Sequence, residues 1–253
     1  MMSLSELRVI GVPGLPIITP GMDLAGLIAE AATAAGIVLQ GGDIVVVTQK
    51  VVSKAQGDLI VLHDVTPSAF AEHYAQQWDK DPRHVEVVLQ QSRRIVKMER
   101  GVLITETHHG FICANAGVDQ SNMEGEEVVA VLPPDPDASA QAIRTGLQAR
   151  CGAEVAVIIS DTFGRPWRDG LVNVAIGLAG MQAIKDYTGQ LDAQGYELRV
   201  TALAVADELA AAAELVMNKL DKVPVALIRG YDYPRGEGSL RQLIRAPERD
   251  LFR

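Results

Sequence analysis

The segment SDTFGRPWRDG at residues 160–170 places an acid, a hydroxyl and two arginines directly after an apolar run. Asp161 stands at the carboxyl end of the strand that this run predicts, a common ligand position in open sheets. Thr162 adds a hydroxyl of the kind that often lies near magnesium. Arg165 and Arg168 are three residues apart, so in a helical turn they would share a face and could clamp an anion. Alone, the segment predicts either a metal site or an anion site.

A second cluster, NAGVDQSN at residues 115–122, offers several oxygen atoms in a compact turn. Ala116 and Gly117 are small enough to let the backbone approach a ligand closely. Asp119, Ser121 and Asn122 then supply oxygen ligands and hydrogen-bond donors. The same residues could cap the turn themselves. Both interpretations stay open, with ligand binding favoured.

Three further clusters could contact an anion. The Gly/Pro-rich loop at residues 11–21 could bring backbone amides close to a ligand, although loop packing explains it about as well. Lys50, Ser53 and Lys54 follow an apolar strand pattern, and a lysine and the serine could hold a phosphate by charge and hydrogen bond, with a solvated turn as the alternative. The glycines of RGEGS at 235–239 precede a short helical pattern and could form an anion-binding nest. Glu237 would repel a phosphate there unless a cation lay between them.

The overall charge limits how such a site could handle phosphates. The chain has a formal net charge of −9 at pH 7, so it repels acidic ligands unless local cations or metal ions intervene. The same charge argues against nucleic-acid binding. The P-loop, dinucleotide and nucleophile-elbow patterns are all missing from the sequence. Oxygen ligation by Asp119, Asp161 and Glu237 suits magnesium or manganese, which in turn suit nucleotide phosphates.

Alternating predicted strands and helices must position these clusters. The predicted strands cover residues 7–12, 43–48, 101–105, 111–118, 127–132, 154–159, 197–205 and 223–230. The predicted helices cover 24–35, with Asp23 as N-cap and Gly36 as stop, and 68–78, 82–92, 138–152 and 206–220. Residues 93–117 have no helical pattern between their apolar runs, which predicts an antiparallel meander. The fold class is therefore α/β or α+β.

The length of 253 residues and the hydrophobic content of 48% allow one large domain or two small lobes. The proline-rich segment at residues 131–139 is the plausible lobe boundary. The longest apolar stretches are too short and too polar to cross a bilayer, and the N-terminal segment lacks the basic region of a signal peptide. Two cysteines are too few for a disulfide framework. We therefore expect a cytoplasmic protein with no membrane or nucleic-acid partner.

Taken in order, these motifs resemble the coenzyme F420-0:L-glutamate ligase family, the γ-glutamyl ligases of deazaflavin coenzyme biosynthesis. The resemblance spans about residues 7–245 and is most specific in SDTFGRPWR and NAGVDQSN. The matching segments are GLPII, VVSKAQGD, ICANAGVDQSNM, VAVIISDTFGRPWRDG, VAIGLAGMQAIKDYTGQLDAQGYEL, ADELAAAAELVM and RGEGSLRQLI. The chain departs from the family pattern at Gln49 and Lys50, where relatives often carry a small hydroxylated pair.

The resemblance implies the family's own α+β fold, with mixed sheets, an antiparallel middle region and an intertwined homodimer. It implies a GTP-dependent ligase that adds L-glutamate to F420-0 and then γ-linked glutamate to the growing tail. The reaction would pass through an acyl phosphate and release GDP and phosphate, assisted by two Mg²⁺ or Mn²⁺ ions and by K⁺. Residues 1–253 would form one ligase unit, without the C-terminal nitroreductase-like domain found in some actinobacterial relatives.

The resemblance also assigns site roles by motif. The implied divalent-metal ligands are Asp119, Asp161, Thr162 and Glu237. The implied GTP contacts are Leu15, Pro16, Ile17, Ile18, Gln49, Lys50, Lys54, Asn122, Gly236, Gly238 and Ser239. The implied catalytic cations, which would neutralise charge in the transfer or on the lactyl phosphate of F420-0, are Lys54, Arg165 and Arg168.

Two other classes of protein could use the same residues. A metal-dependent phosphohydrolase would release phosphate from GTP without F420-0 or glutamate. A non-catalytic protein that binds a deazaflavin or a nucleotide would show no turnover at all. The resemblance favours the ligase over both.

Overall fold

The computed structural model describes residues 6–123 and 126–250, with side chains left undescribed at 121–123 and 126. Within these ranges the chain is a mixed α+β structure built on several sheets. The strands are β1 Arg8–Gly11, β2 Ile44–Thr48, β3 Leu59–Val61, β4 Ser92–Glu99, β5 Val102–Thr107, β6 Ile112–Ala114, β7 Asp119–Met123, β8 Glu126–Ala130, β9 Ala156–Arg165, β10 Arg168–Ala179, β11 Lys185–Asp186, β12 Ala202–Leu203 and β13 Val225–Arg229. The α-helices are α1 Leu24–Ala34, α2 Gln49–Gln56, α3 Ala69–Trp78, α4 Pro82–Gln90, α5 Pro136–Cys151 and α6 Val205–Met217.

The central sheet has the strand order β1-β13-β2-β9-β10. Its middle pair, β2 and β9, runs parallel, and the other neighbours are antiparallel. β2 is apolar on both sides: Val45 and Val47 pack with α1 and α5, whereas Val46 packs with α6. Two helical layers therefore cover the sheet, and the ends of β2 and β9 are held in a rigid frame.

A second layer of structure forms around the middle of the chain. The sheets β3-β8-β7 and β4-β5-β6 are antiparallel throughout, which confirms the predicted meander. They share an apolar core with α3 and α4. Residues 131–135 lead from β8 into α5, and Val131 and Leu132 in this segment are buried.

Several predicted elements differ from the observed ones. The predicted strand at 197–205 is reduced to the two-residue β12, because the segment lacks a long neighbour to pair with and leaves Val200 91% exposed. α2 lies outside the predicted helices, because its eight residues are mostly polar. β10 was not predicted, because glycines and an asparagine interrupt its apolar run.

Gly177 allows β10 to pass close to the start of α5. It follows a register irregularity in β10, and a Cβ there would lie 2.5 Å from the carbonyl carbon and oxygen of Pro136. We expect Gly177→Ala to lower the free energy of unfolding by about 1–3 kcal/mol, because backbone atoms cannot rotate away. Urea titration would measure this. Gly41→Ala, where a Cβ meets nothing within 4 Å, is the control; an equal loss in both variants would contradict the packing argument.

Candidate active site

A cavity of about 710 Å³ opens at the carboxyl end of β2. β2 stops at Thr48, whereas β9 continues to Arg165, so the central sheet ends in a step. The walls around the step come from the loop at residues 15–18, from α2, from the turn leading into β7, and from the end of α6. Four segments that are distant in sequence therefore meet at one strand end, as the sequence predicts for a ligand site.

The two aspartates predicted to bind metal both line this cavity, Asp161 from β9 and Asp119 from the start of β7. Burial raises the pKa of Asp161 to about 7, and the negative charge of Asp119 adds to the increase. The backbone N–H of Thr162 opposes it by donating to Asp161 Oδ1 at 2.8 Å. A carboxyl group whose charge is disfavoured by burial and by a second acid suits a bound cation.

Two lysines of α2 face the same space. Lys50 Nζ lies 3.4 Å from Asp119 Oδ2 and donates to the Gln120 carbonyl, also at 3.4 Å. Lys54 lies one helical turn further on and lines the cavity. Its pKa is lowered, first by burial and then by the charge of Lys50. The predicted phosphate-binding lysines therefore lie beside the predicted metal ligands.

Gln49, which was predicted to contact GTP, is buried, and its side chain forms hydrogen bonds within the protein. Its Nε2 donates to Ser53 Oγ at 2.7 Å and to the Val131 carbonyl at 3.0 Å. Ser53 donates to the same carbonyl at 2.6 Å, so α2 is tied to the chain after β8. The Oε1 of Gln49 has no partner among the described residues. Because the amide nitrogen already donates to Ser53 and Val131, only the amide oxygen of Gln49 could accept a hydrogen bond from a ligand.

The loop at residues 15–18, implied to contact GTP, forms another wall of the cavity. Ile18 is 5% exposed and anchors the loop in the core, whereas Ile17 is 85% exposed at the rim. The turn before Asp119 also follows its prediction: Asn115, Ala116 and Gly117 all have positive φ, which makes a tight bend. The Asn122 backbone continues β7, but its side chain lies outside the described part.

Thr162 takes part in a group of polar side chains that sequence reasoning missed. Its hydroxyl donates to Asn173 Oδ1 at 2.7 Å and accepts from Lys219 Nζ at 2.7 Å. Glu214 accepts from both Asn173 Nδ2, at 2.8 Å, and Lys219 Nζ, at 2.7 Å. One sequence signal was available, since an asparagine inside the apolar run of β10 is a polar residue in a strand that should be buried.

The arginines of SDTFGRPWRDG lie elsewhere, and the helical turn considered for them is wrong. β9 and β10 form a hairpin in which Arg165 and Arg168 pair across the turn, with Trp167 at positive φ. Arg165 Nη2 donates to the Asp169 carbonyl, and Arg168 is exposed. Neither arginine lines the cavity. The strand extends because Asp161–Gly164 find partners in β10, and a hairpin tip replaces the shared helical face.

The RGEGS loop lies at the other end of the central sheet. Glu237 and Gly236 line a separate cavity of about 150 Å³, together with Val155 before β9. Asp161 follows Val155 along the extended strand, so the two sites are roughly 20 Å apart within one protomer. Gly238 N donates to the Met181 carbonyl at 3.1 Å, and Ser239 Oγ donates to Asp137 at 2.6 Å. Glu237 is thus not joined to the two aspartates within a single chain.

The donors in the larger cavity fit a hard divalent cation. Asp119, Asp161 and the Thr162 hydroxyl are all oxygen ligands, the kind that magnesium and manganese prefer. Across residues 6–123 and 126–250, no group of three or more His, Cys, Asp or Glu side chains could hold a metal. Two acids from one protomer would therefore need further oxygen atoms from a ligand, from water or from a second chain.

No helix within residues 6–123 and 126–250 is long and apolar enough to cross a membrane.

Comparison with known proteins agrees with the motifs. A family model described as F420-0:Gamma-glutamyl ligase matches residues 14–230. Three similar proteins are named Coenzyme F420:L-glutamate ligase. That of Methanothermobacter thermautotrophicus is 46% identical over 250 residues, 98% of this chain and 99% of the relative. That of Methanopyrus kandleri is 45% identical over 258 residues, 100% of both chains. That of Methanocaldococcus jannaschii is 42% identical over 251 residues, 98% of this chain and 97% of the relative. The resemblance inferred from the motifs is thereby confirmed: the chain belongs to the F420-0:gamma-glutamyl ligase family.

Proposed function

We propose that this protein is a GTP-dependent ligase that joins L-glutamate to F420-0 and then adds γ-linked glutamate to the growing tail. One observation carries the proposal: Asp119 and Asp161 converge beside Lys50 and Lys54 in a chain of this ligase family. Acids of this kind hold the metal of a metal–nucleotide complex, and lysines neutralise its phosphates. The arrangement would allow a chain of charge −9 to accept a triphosphate.

Asp119 and Asp161 are the residues that would hold Mg²⁺ or Mn²⁺, with the Thr162 hydroxyl as a third oxygen. The fit rests on the donor set and on the raised pKa of Asp161, which is caused first by burial and then by the negative charge of Asp119. When bound, such ions neutralise phosphate charge and align the groups that react.

The reaction requires an activated carboxyl group, because a free carboxylate has no adequate leaving group. A carboxylate oxygen of the acceptor attacks the γ-phosphorus of GTP, and the bond from that phosphorus to the bridging oxygen of GDP breaks. The amine of glutamate then attacks the carbonyl carbon of the acyl phosphate. Phosphate leaves with the former carboxylate oxygen, the amine loses a proton and an amide remains. In this chain, Lys50 and Lys54 would hold the phosphate oxygens while the cavity walls keep water from the acyl phosphate.

We further propose that the site is completed by a second copy of the chain. Glu237 is exposed on a loop that is held firmly by Met181, and it lies too far from Asp161 to share a ligand within one protomer. Trp167 and Leu171 leave large apolar surfaces at 81% and 69% exposure, and Leu171 also lines the cavity. Exposed apolar residues at a site rim favour cover by another chain. A homodimer in which each copy lends its Glu237 loop explains both features.

Lys54→Gln is expected to lower kcat/KM for GTP by about a hundredfold, because one positive charge on the transferred phosphoryl group is lost. The fold should be retained, since Lys54 makes no ion pair or side-chain hydrogen bond that would be broken among the described residues. Steady-state kinetics with varied GTP measures the effect. Lys185→Gln is the control, because Lys185 is also half-buried but stacks on tyrosines away from the cavity. An equal loss in both variants would refute the role of Lys54.

The direct test is incubation of the protein with F420-0, L-glutamate, GTP and Mn²⁺, followed by mass spectrometry. The expected products are F420 species that carry added glutamyl units, with one GDP formed for each unit. GTP consumption that is independent of F420-0 and glutamate would instead identify a phosphohydrolase. Absence of any mass gain with GTP, ATP or other nucleotides would refute the ligase proposal for this acceptor.

A further inference from the structure

Four side chains at the edge of the cavity form a closed ring of hydrogen bonds. We call this group, which consists of Thr162, Asn173, Glu214 and Lys219, the Thr162 ring. Each contact in it is between 2.7 and 2.8 Å long, and all four residues line the cavity. Thr162 is a predicted metal ligand. Glu214 lies in the matching segment ADELAAAAELVM but has no role assigned to it there, and Asn173 and Lys219 lie outside the matching segments. The ring connects β9, β10 and the end of α6.

The chemistry of the ring fixes the direction of every hydrogen bond in it. Ionised Glu214 can only accept, so the Asn173 amide nitrogen points to it and the amide oxygen points to Thr162. The Thr162 hydroxyl must then donate its proton to Asn173. Its lone pairs are left facing Lys219, whose ammonium group can only donate. Lys219 therefore occupies the lone pairs of the Thr162 oxygen that a metal ion would otherwise use.

The backbone around Lys219 is held in an unusual conformation. Asn218 and Lys222 both have positive φ, at 51° and 56°, and both line the cavity. Lysine rarely adopts this conformation, and such residues tend to cluster where a ligand binds. Asn218 Nδ2 donates to Asp221 at 2.8 Å, which fixes the turn. Lys219 itself is 58% exposed, so its side chain has room to move.

We propose that Lys219 is a phosphate-binding residue of this site that pairs with Thr162 and Glu214 until a metal–nucleotide complex binds. The inference rests on the proposed function. An ammonium group and a divalent cation repel each other and compete for the same Thr162 oxygen. Lys219 would therefore leave the Thr162 oxygen when Asp161 and Thr162 hold a cation, and its ammonium group would be free to contact the negative phosphate oxygens in the cavity. Glu214 keeps the ammonium group of Lys219 close to the cavity. When no ligand is present, the hydrogen bonds of the Thr162 ring hold the lysine side chain in place.

Lys219 thus affects the two ligands in opposite directions. Without nucleotide it would weaken metal binding, because its positive charge lies on the Thr162 oxygen that the metal would need. With nucleotide it strengthens binding, because the same charge contacts a phosphate. A residue that only stabilised the fold would affect both in the same direction. The phosphate could belong to the nucleotide or to F420-0, and the experiment distinguishes them.

The test uses the purified full-length protein and Lys219→Gln, with Mn²⁺ alone titrated by electron paramagnetic resonance. We expect the variant to bind Mn²⁺ roughly three- to tenfold more tightly. In the presence of Mn²⁺, we expect about tenfold weaker binding of a non-hydrolysable GTP analogue by calorimetry. If instead only F420-0 binding weakens, the phosphate belongs to the acceptor. Unchanged or weaker Mn²⁺ binding, or unchanged binding of both phosphate ligands, would overturn the inference.

Two further variants make the result specific. Glu214→Gln removes a negative charge from the same ring, so it should weaken Mn²⁺ binding, opposite to Lys219→Gln. Lys97→Gln also breaks a 2.7 Å lysine–glutamate pair, but between exposed strand residues away from the cavity, and it should leave Mn²⁺ binding unchanged. If the unsubstituted protein binds Mn²⁺ and adds glutamate while Lys219→Gln behaves like Lys97→Gln, this inference fails and the ligase function stands. Failure of the unsubstituted protein to add glutamate would count against the function instead.

Discussion

Asp161→Asn is expected to abolish ligase activity and, at the same time, to make the metal-free protein more stable. The activity should fall by at least about a thousandfold, because an ionised ligand worth several kcal/mol of transition-state stabilisation is lost. Stability should change in the other direction, because the folded protein holds the Asp161 carboxylate where burial and Asp119 disfavour its charge. Asparagine has nearly the same shape and needs no counter-charge.

The higher stability of metal-free Asp161→Asn should depend on pH, because the pKa of Asp161 is raised in the folded protein. The pKa of Asp161 is about 7 in the folded protein and 3.8 by reference, so the folded state binds the proton more tightly than the unfolded chain does. The loss of folding stability caused by ionisation of Asp161 is therefore absent below about pH 4, grows as the pH rises and is complete above about pH 7. Melting curves without metal should show the variant more stable at pH 8 and equal to the unsubstituted protein near pH 4. Added Mn²⁺ should raise the melting temperature of the unsubstituted protein alone.

Asp207→Asn is the matched control for this comparison. Burial also raises the pKa of Asp207, which accepts from the Ala175 backbone N–H at 2.9 Å outside the cavity. This variant should show no Mn²⁺-dependent difference from the unsubstituted protein. If Asp161→Asn keeps full turnover, or is destabilised at pH 8 without metal, the carboxyl group has a structural role and the metal site is misplaced.

Glu237→Gln should also remove most of the activity, by about a hundredfold or more, although Glu237 lies far from the cavity in its own protomer. The expectation follows from the proposed homodimer, in which the loop around Glu237 reaches the partner's Asp119 and Asp161. Steady-state kinetics and Mn²⁺ titration would show the loss as weaker metal binding with an unchanged melting temperature. The exposed position of Glu237 makes a folding defect an inadequate explanation.

Co-expression of two inactive variants tests whether the site is shared. If Asp161→Asn and Glu237→Gln chains pair at random, half of the dimers are mixed, and each mixed dimer has one site with both acids intact. Activity should therefore return to roughly a quarter of the unsubstituted value. Activity no greater than that of the separate variants would indicate that Glu237 and Asp161 do not act in one shared site.

Local sequence patterns identified the parts of the site that depend on single strand ends. Asp161 follows an apolar run and Lys50 follows another, and parallel strands β2 and β9 bring such ends together. The antiparallel meander could also be predicted, because the missing helices leave no other connection. The tight turn before Asp119 was visible in its small residues.

Other features depend on contacts between distant segments and left little trace in the sequence. Lys219 meets Thr162 across 57 residues, and Asn173 meets Glu214 across 41. The three-residue spacing of the two arginines suits a shared helical face, but the pairing of β9 with β10 extends the chain and places both at a hairpin tip. The local propensity of the sequence cannot predict this hairpin, because pairing with a second strand determines whether the segment forms a helical turn or a hairpin. Gln49 could not be recognised as buried for the same reason.

The most direct test of the ligase chemistry follows one oxygen atom. F420-0 labelled with ¹⁸O in its carboxyl group is incubated with the protein, L-glutamate, GTP and Mn²⁺, and the released phosphate is analysed by mass spectrometry. An acyl-phosphate route transfers the carboxylate oxygen to phosphate, so each phosphate should carry one ¹⁸O atom for each amide formed on labelled F420-0. Unlabelled phosphate, or label in a guanosine monophosphate product, would contradict the account.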